Sequence, residues 1–138
     1  NTTYYYRVRA VNGAGTTISS NVITVQTPIV STIWNGIAWS NSIPFSTVDA
    51  IIDGDLTTTG ALSCKDLTIN AGNTLTIDVT NSLTVAVNLV NNGNLVFKSD
   101  ASGTAVFDQF SGTISGSGNV TVERYIPAKR AWRLLTAP

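Results

Sequence analysis

The sequence predicts an all-β fold, and three observations carry that expectation. Val, Ile and Thr recur throughout its 138 residues, whereas Met and His are absent and Glu123 is the sole glutamate. No long window holds apolar residues at the 3.6-residue spacing of an amphipathic helix. Short apolar–polar alternations separated by Asn/Gly turns run through most of the chain instead, and β-branched side chains suit the pleated, half-buried surface that such strands offer. The length leaves room for one ordinary domain or parts of two.

Charged residues make up 12% of the chain, about half the share usual in soluble domains, so Thr, Ser and Asn must supply the surface polarity. That pattern suits an extracellular scaffold. The formal net charge is zero, which removes the electrostatic drive towards nucleic acid or an anionic membrane. No stretch of about 18 apolar residues is present, so membrane insertion is not expected. Asn1 leads directly into strand-like sequence without a signal peptide, and both ends read as truncated. Cys64 is the single cysteine. It has no intramolecular disulfide partner, no histidine base and no thiol or imidazole co-ligand for zinc, and its place in an apolar alternation predicts a buried, inert thiol.

Taken in order, TYYYRVRA alternates, with Tyr4, Tyr6, Val8 and Ala10 on one face and Tyr5, Arg7 and Arg9 on the other. VNGAGTT is a turn, with glycines for positive φ, and SSNVITVQT is a second strand. A hairpin alone is marginal in water, so this one requires further sheet. These residues, Asn1 to Thr27, resemble the last two strands of a fibronectin type III domain. Tyr4 matches that family's corner tyrosine, and Tyr5 to Asn12 match its Tyr-x-Arg-Val-x-Ala-x-Asn strand. The resemblance implies that about five further strands of a sandwich precede Asn1.

Pro28 to Thr32 reads as a linker, since Pro28 cannot continue a ladder. Trp34 and Trp39 bracket Asn35-Gly36, a strong turn dipeptide, and are expected on paired strands of a tight hairpin. With Phe45 they have two readings: an aromatic binding platform, or an apolar plug over the end of a stacked β architecture whose terminal rung must be covered.

The centre of the chain is the most informative. Leu67-Thr68-Ile69, Leu75-Thr76-Ile77 and Leu83-Thr84-Val85 recur at intervals of eight, each with two aliphatics inward and a threonine outward. Val87, Leu89, Leu95 and Phe97 are the next candidate core positions, followed by Val106 or Phe107, Ile114, Val120 and Val122. Equal steps suggest equal sides of a coil, hence a short-strand β-solenoid whose coils interlock in a dry interior and leave hydroxyls and amides outside. Turn asparagines (Asn70, Asn81, Asn91, Asn92) could then form hydrogen-bonded ladders. The competing architecture is an antiparallel meander closed into a β-sandwich. The organisation expected is therefore the end of a fibronectin type III-like domain over residues 1–27, a linker over 28–32, a solenoid-like repeat module with an aromatic N-terminal cap over 33–123, and the truncated start of a further β-module over 124–138.

A search for chemistry finds little. No histidine is available as base or metal ligand. Most of the eight acidic residues adjoin turns, where a solvated carboxylate is ordinary. Asp49, Asp53 and Asp55 come nearest to the clustered aspartates of a polysaccharide-cleaving β-helix, but no Lys or Arg stands beside them in sequence. No catalytic site, and no enzyme, is expected. Asp53-Gly54-Asp55 could offer oxygens to Ca²⁺, against the plainer reading of a polar turn; no other cofactor is implied. Arg124, Lys129, Arg130 and Arg133 with Tyr125 and Trp132 form the one basic-aromatic cluster. It reads either as a stacking surface or as cover for an inter-module junction. The candidate ligand-binding aromatics are thus Trp34, Trp39, Trp132 and Tyr125.

The stretch from Thr32 onward also resembles repeat modules of very large surface and secreted proteins of Bacteroidetes, gliding flavobacteria in particular. The resemblance rests on IWNGIAWSN, DAIIDGD, CKDLTINAGNTLTI, NLVNNGNLVF and VERYIPAKRAWRLLTAP. It implies cargo of the type IX secretion system, placed outside the cell or on the outer face of the outer membrane. The function expected is that of a non-catalytic stalk or spacer of adhesin type. Its partners would be neighbouring β-modules of the same polypeptide, with surface polysaccharide or the secretion and surface-anchoring machinery as further candidates. The alternative is a carbohydrate-binding module that uses exposed aromatics.

Overall fold

A computed structural model describes residues 3–6, 9–18, 23–26 and 29–128. Among them every regular element is a β-strand. β1 (Thr3–Tyr6) pairs antiparallel with β4 (Ile23–Gln26), and between them in sequence β2 (Arg9–Asn12) pairs antiparallel with β3 (Gly15–Ile18) across Gly13-Ala14. The pairing is that of the expected hairpin, but its turn is only Gly13-Ala14: Val11, Asn12 and Gly15 to Thr17, read above as turn, lie in strands. Arg7 and Val8, and the burial of the Tyr4 side chain on which a corner would depend, lie outside the described residues.

From Ser31 the chain winds into a parallel β-solenoid of about four turns with three faces. The first face starts with β5 (Ser31–Trp34), so its sheet takes in Ser31 and Thr32, read above as linker. The chain then passes through β6 (Asp49–Ile52) on the first face, β7 (Leu56–Thr57) on the second and β8 (Leu62–Cys64) on the third. The next coil is β9 (Leu67–Ile69), β10 (Thr74–Ile77) and β11 (Ser82–Val85), and the one after is β12 (Asn88–Asn91), β13 (Asn94–Phe97) and β14 (Val106–Phe107). β15 (Thr113–Ser115) and β16 (Asn119–Val122) begin a further coil. Each face is one parallel sheet: β5-β6-β9-β12-β15, β7-β10-β13-β16 and β8-β11-β14.

The three eight-spaced triplets are therefore the three sides of a single coil, one on each face. What stacks on Leu75 is Leu56 below and Leu95 above; Leu67 stacks between Ala50 and Leu89, and Leu83 between Leu62 and Phe107. This parallel register excludes the antiparallel meander for the described part of the module. The period-2 rule delivers the core, since Leu67, Ile69, Leu75, Ile77 and Leu83 are all fully buried. Thr68, Thr76 and Thr84 between them are half-buried on the outside.

Three expectations need correction. Val87 is 41% exposed, because it sits in the corner between β11 and β12 rather than on a strand, while Leu89, Leu95 and Phe97 are buried as expected. The outer surface is not confined to hydroxyls and amides: the outward row of the first face stacks Ile33, Ile51, Thr68 and Val90. The corner asparagines form no Asn-on-Asn ladder among the described residues. Three of the four side chains reach an adjacent coil instead: Asn70 Nδ2 donates to Asp53 Oδ1 (2.9 Å), Asn81 Nδ2 to the Thr58 carbonyl (3.0 Å) and Asn91 Nδ2 to the Asn119 carbonyl (2.9 Å), while Asn92 does so through its backbone amide, which donates to the Ile69 carbonyl (2.9 Å). Coils of unequal length explain this, because the steps place different residue types over one another at the corners. Thr58, itself buried, also gives its hydroxyl oxygen to the Asp78 amide (3.0 Å) and to Asn81 (3.1 Å). No buried side-chain nitrogen or oxygen among the described residues lacks a partner, as burial of polar groups demands.

Candidate functional site

Two apolar concavities mark the two ends of the stack. At the first end, β5 adds a rung to the first face only, leaving β7 and β8 as edges of theirs. The chain then turns at Asn35-Gly36, whose geometry is set by the Asn35 carboxamide: its Oδ1 accepts from the amides of Ile37 (3.0 Å) and Ala38 (2.9 Å). Gly36 sits at φ 92°, a left-handed conformation that suits glycine. The turn returns Trp39 to an antiparallel bridge with Trp34, as the bracketing dipeptide predicts. The two indoles lie 5.6 Å apart at 60°, partly buried against the core, and Trp34 Nε1 donates to the Asp55 carbonyl (2.9 Å). Gly54 lies directly beneath this turn; a Cβ there would run into the backbone nitrogen of Gly36 and lie 2.6 Å from the Asn35 carbonyl carbon. Phe45 remains 51% exposed and Ile43 69% exposed. Trp34, Trp39, Ile43, Leu56, Ala61 and Leu62, with the hydroxyl-bearing Thr57 to Thr59, line a cleft of about 380 Å³.

At the other end, Ile114, Val120 and Val122 occupy inward positions but remain 57%, 54% and 44% exposed, because no described strand lies over them. With Leu89, Leu95, Phe97, Ala105 and Phe107 they line a cavity of about 290 Å³. Phe107 stacks on Phe110 at 5.5 Å beside it. Tyr125, 47% exposed, follows β16 at this end. The structure thus brings Trp34 and Trp39 together, tilted rather than coplanar, and sets Tyr125 at the opposite end of the stack. Trp132, with Lys129, Arg130 and Arg133, lies outside the described residues.

The carboxylates are engaged in holding the coils. Asp55 Oδ1 accepts from the Thr74 amide one coil on (2.7 Å), and Asp53 Oδ1 from Asn70, so both candidate calcium ligands carry hydrogen bonds across a corner. Among the described residues no group of three or more His, Cys, Asp or Glu is gathered as a metal site. Sequence reading missed a cation beside the aspartates: Lys65 Nζ lies 3.4 Å from Asp49 and 3.2 Å from Asp66. Asp49 is one coil away from Lys65, and the signal was the Lys65-Asp66 pair read against a coil length not yet known. Hydrogen bonds donated to Asp66 and Asp49 raise the Lys65 pKa. Burial would raise that of Asp66, but Lys65 and Asn88 together outweigh it and hold the carboxyl low. Lys98 Nζ and Glu123 Oε1, 2.7 Å apart, tie the last two coils and lower the Glu123 pKa. Asp108 accepts from the Thr84 hydroxyl.

Cys64 is fully buried and unbonded to another cysteine. Burial, with smaller contributions from Asp66 and Asp49, pushes its pKa up to about 12, the opposite of what a nucleophilic thiol needs. Compared with family models, curated proteins and solved structures, the chain gives no match.

Proposed function

We propose that this chain is a non-catalytic, adhesin-type module of a large bacterial cell-surface or secreted protein, acting as a stalk or spacer. The observation that carries the reading is the unbroken inward stack Leu56–Leu75–Leu95–Val120, which makes the molecule a rod segment whose length is set by coil count. The four spacings between the five strands of the first face, at about 4.8 Å apiece, give a rise of roughly 19 Å. The polar side chains support the same reading: the aspartates and Glu123 are committed to corners and coil-to-coil bonds, and the one thiol is sealed in the core. The resemblance of residues 1–27 to fibronectin type III strands, and of the stretch from Thr32 onward to Bacteroidetes repeat modules, supports export as type IX secretion cargo to the cell surface, next to other β-modules and in the service of surface adhesion or gliding.

The test is replacement within the full-length parent on its native cell. Exchanging residues 29–128 for an unrelated solenoid of equal rise should preserve export and adhesion, and deleting them should weaken adhesion. Loss of adhesion on exchange, matched by Trp34→Ala in the intact module, would mean that this surface itself binds.

The cleft lined by the Trp34–Trp39 pair and by Thr57 to Thr59 favours a second reading, a site for surface polysaccharide, since indole faces and hydroxyls are groups that pack on and hydrogen-bond to sugars. Affinity electrophoresis through gels containing neutral polysaccharides tests it: retardation lost in Trp39→Ala supports binding, and unchanged mobility in every gel removes it.

A further inference from the structure

The side chains that line the cleft beside Trp34 and Trp39 offer more hydrogen-bond donors than acceptors. Trp34 has its indole nitrogen committed to the Asp55 carbonyl. Trp39 differs: among the described residues nothing bonds its Nε1, and solvent reaches that atom although the ring is partly buried. Thr58, only 5% exposed, already receives the Asp78 amide (3.0 Å) and Asn81 Nδ2 (3.1 Å) on its hydroxyl oxygen, so its proton is what remains to offer. Thr57 and Thr59 are exposed, and their hydroxyls can serve either way. No carboxylate, carboxamide, ammonium or guanidinium side chain lines the cleft. The nearest carboxylates in sequence, Asp53 and Asp55, hold Asn70 and the Thr74 amide. The rest of the lining is apolar, chiefly Ile43, Leu56 and Leu62.

We propose that the ligand of this cleft is a neutral sugar unit bearing an acetyl group, an inference that rests on the polysaccharide reading and narrows it. An unmodified sugar presents several hydroxyl protons, each needing an acceptor once buried, and these side chains supply few. A charged sugar would lose its hydration with no opposite charge to meet it. An acetyl group brings what the lining lacks: a carbonyl oxygen to accept from Trp39 Nε1 and the Thr58 hydroxyl, and a methyl that leaves water against the apolar side chains. The cleft, about 380 Å³, lies near the lower limit of small-molecule sites, about 300 Å³, so the ligand is a short unit. An extended apolar peptide is the poorer fit, because the strand edge it would join, β7, is two residues long.

Titration of the full chain, labelled with nitrogen-15, against matched sugars tests the assignment. Tri-N-acetylchitotriose differs from cellotriose by acetamido groups in place of hydroxyls, and O-acetylated xylotriose differs from xylotriose by its esters. Within at least one pair the acetylated sugar should bind about tenfold more tightly and shift the indole N–H resonance of Trp39. Which pair does so tells whether the carbonyl is that of an amide or an ester. Trp39→Phe keeps a ring and removes the N–H, so it should bring the two members of that pair within about twofold of each other. The titration of the parent chain stands by itself should that variant not fold. Equal affinity within both pairs overturns the acetyl assignment and leaves the polysaccharide reading intact. Absence of binding by all four sugars overturns it too, and the polysaccharide reading then stands or falls on retardation in polysaccharide gels. A preference that survives in Trp39→Phe, or tighter binding of acetyl-valine amide than of either acetylated sugar, likewise overturns the proposal.

Discussion

Leu75 lies in parallel register with Leu95, twenty residues later in the chain, and not with Leu67 or Leu83, whose triplets mirror its own in sequence. The spacing that first draws the eye therefore describes travel around a coil, and stability comes from travel along the axis. Leu75, fully buried between Leu56 and Leu95, is the residue on which this packing can be tested. Leu75→Ala should cost about 2–5 kcal/mol by loss of transfer energy and creation of a cavity. Thr76→Ala, outward on the same strand, should cost well under half of that. Urea denaturation of both variants decides, and equal small losses would place Leu75 outside the core.

The Asn35-Gly36 turn depends on Gly54 having no side chain. Gly54→Val drives a branched Cβ into the Asn35-Gly36 turn, so either the turn or β6 must move, at a cost of about 1–3 kcal/mol by overpacking. Because Trp34 and Trp39 are held by that turn, the variant should show red-shifted tryptophan emission and greater quenching by acrylamide. Emission identical to that of the parent chain would show that the turn does not rest on Gly54.

Cys64 should be silent in the native state. With its pKa at about 12 the thiolate is scarce at neutral pH, and burial bars reagents as well. A chromogenic disulfide reagent at pH 8 should label less than a tenth of the protein in the time that fully labels it in denaturant. Rapid native labelling would mean that the third face opens.

Acid should loosen the last coil first. Glu123, Asp66 and Asp100 all have carboxyl pKa values held below the ordinary range: Glu123 chiefly by Lys98, Asp100 by the Ser102 hydroxyl and amide, and Asp66 by Lys65 and Asn88 against an opposing burial effect. A depressed folded-state pKa contributes stability that is present above the unfolded value, roughly pH 4 for carboxylates, and is lost as pH falls through the folded value. The melting temperature should hold level from neutral pH down to about pH 5 and fall below about pH 4, with a shallower fall in Glu123→Gln. Asp100 is exposed and Asp66 and Glu123 are only partly buried, so solvent screening keeps the effect small. A melting temperature that rises on acidification would contradict the assignment.

Strand chemistry was legible in the sequence because the period-2 rule is local: Leu67, Ile69, Leu75, Ile77 and Leu83 could be placed inside from their immediate neighbours. So could the Trp34–Trp39 bridge, since Asn35-Gly36 dictates its own turn. What could not be read was which strand lies on which. Coil steps here range from 17 residues, Ala50 to Leu67, to 25, Phe97 to Val122, so no fixed period exposes the partners. The Lys65–Asp49 contact, the Thr58 hub and the Gly54 approach all cross between coils and were hidden for that reason. Val87 was misplaced inside because a corner residue can continue an apolar alternation without belonging to a strand.

The stacking itself is best tested by nuclear Overhauser contacts between backbone protons in the isotope-labelled chain, since side chains from all three faces meet in the interior and would not discriminate. The account predicts amide-to-Hα cross-peaks in the parallel pattern between the strand holding Leu75 and those holding Leu56 and Leu95. Close Hα-to-Hα cross-peaks linking Leu75's strand to those of Leu67 or Leu83, the mark of an antiparallel meander, would contradict it.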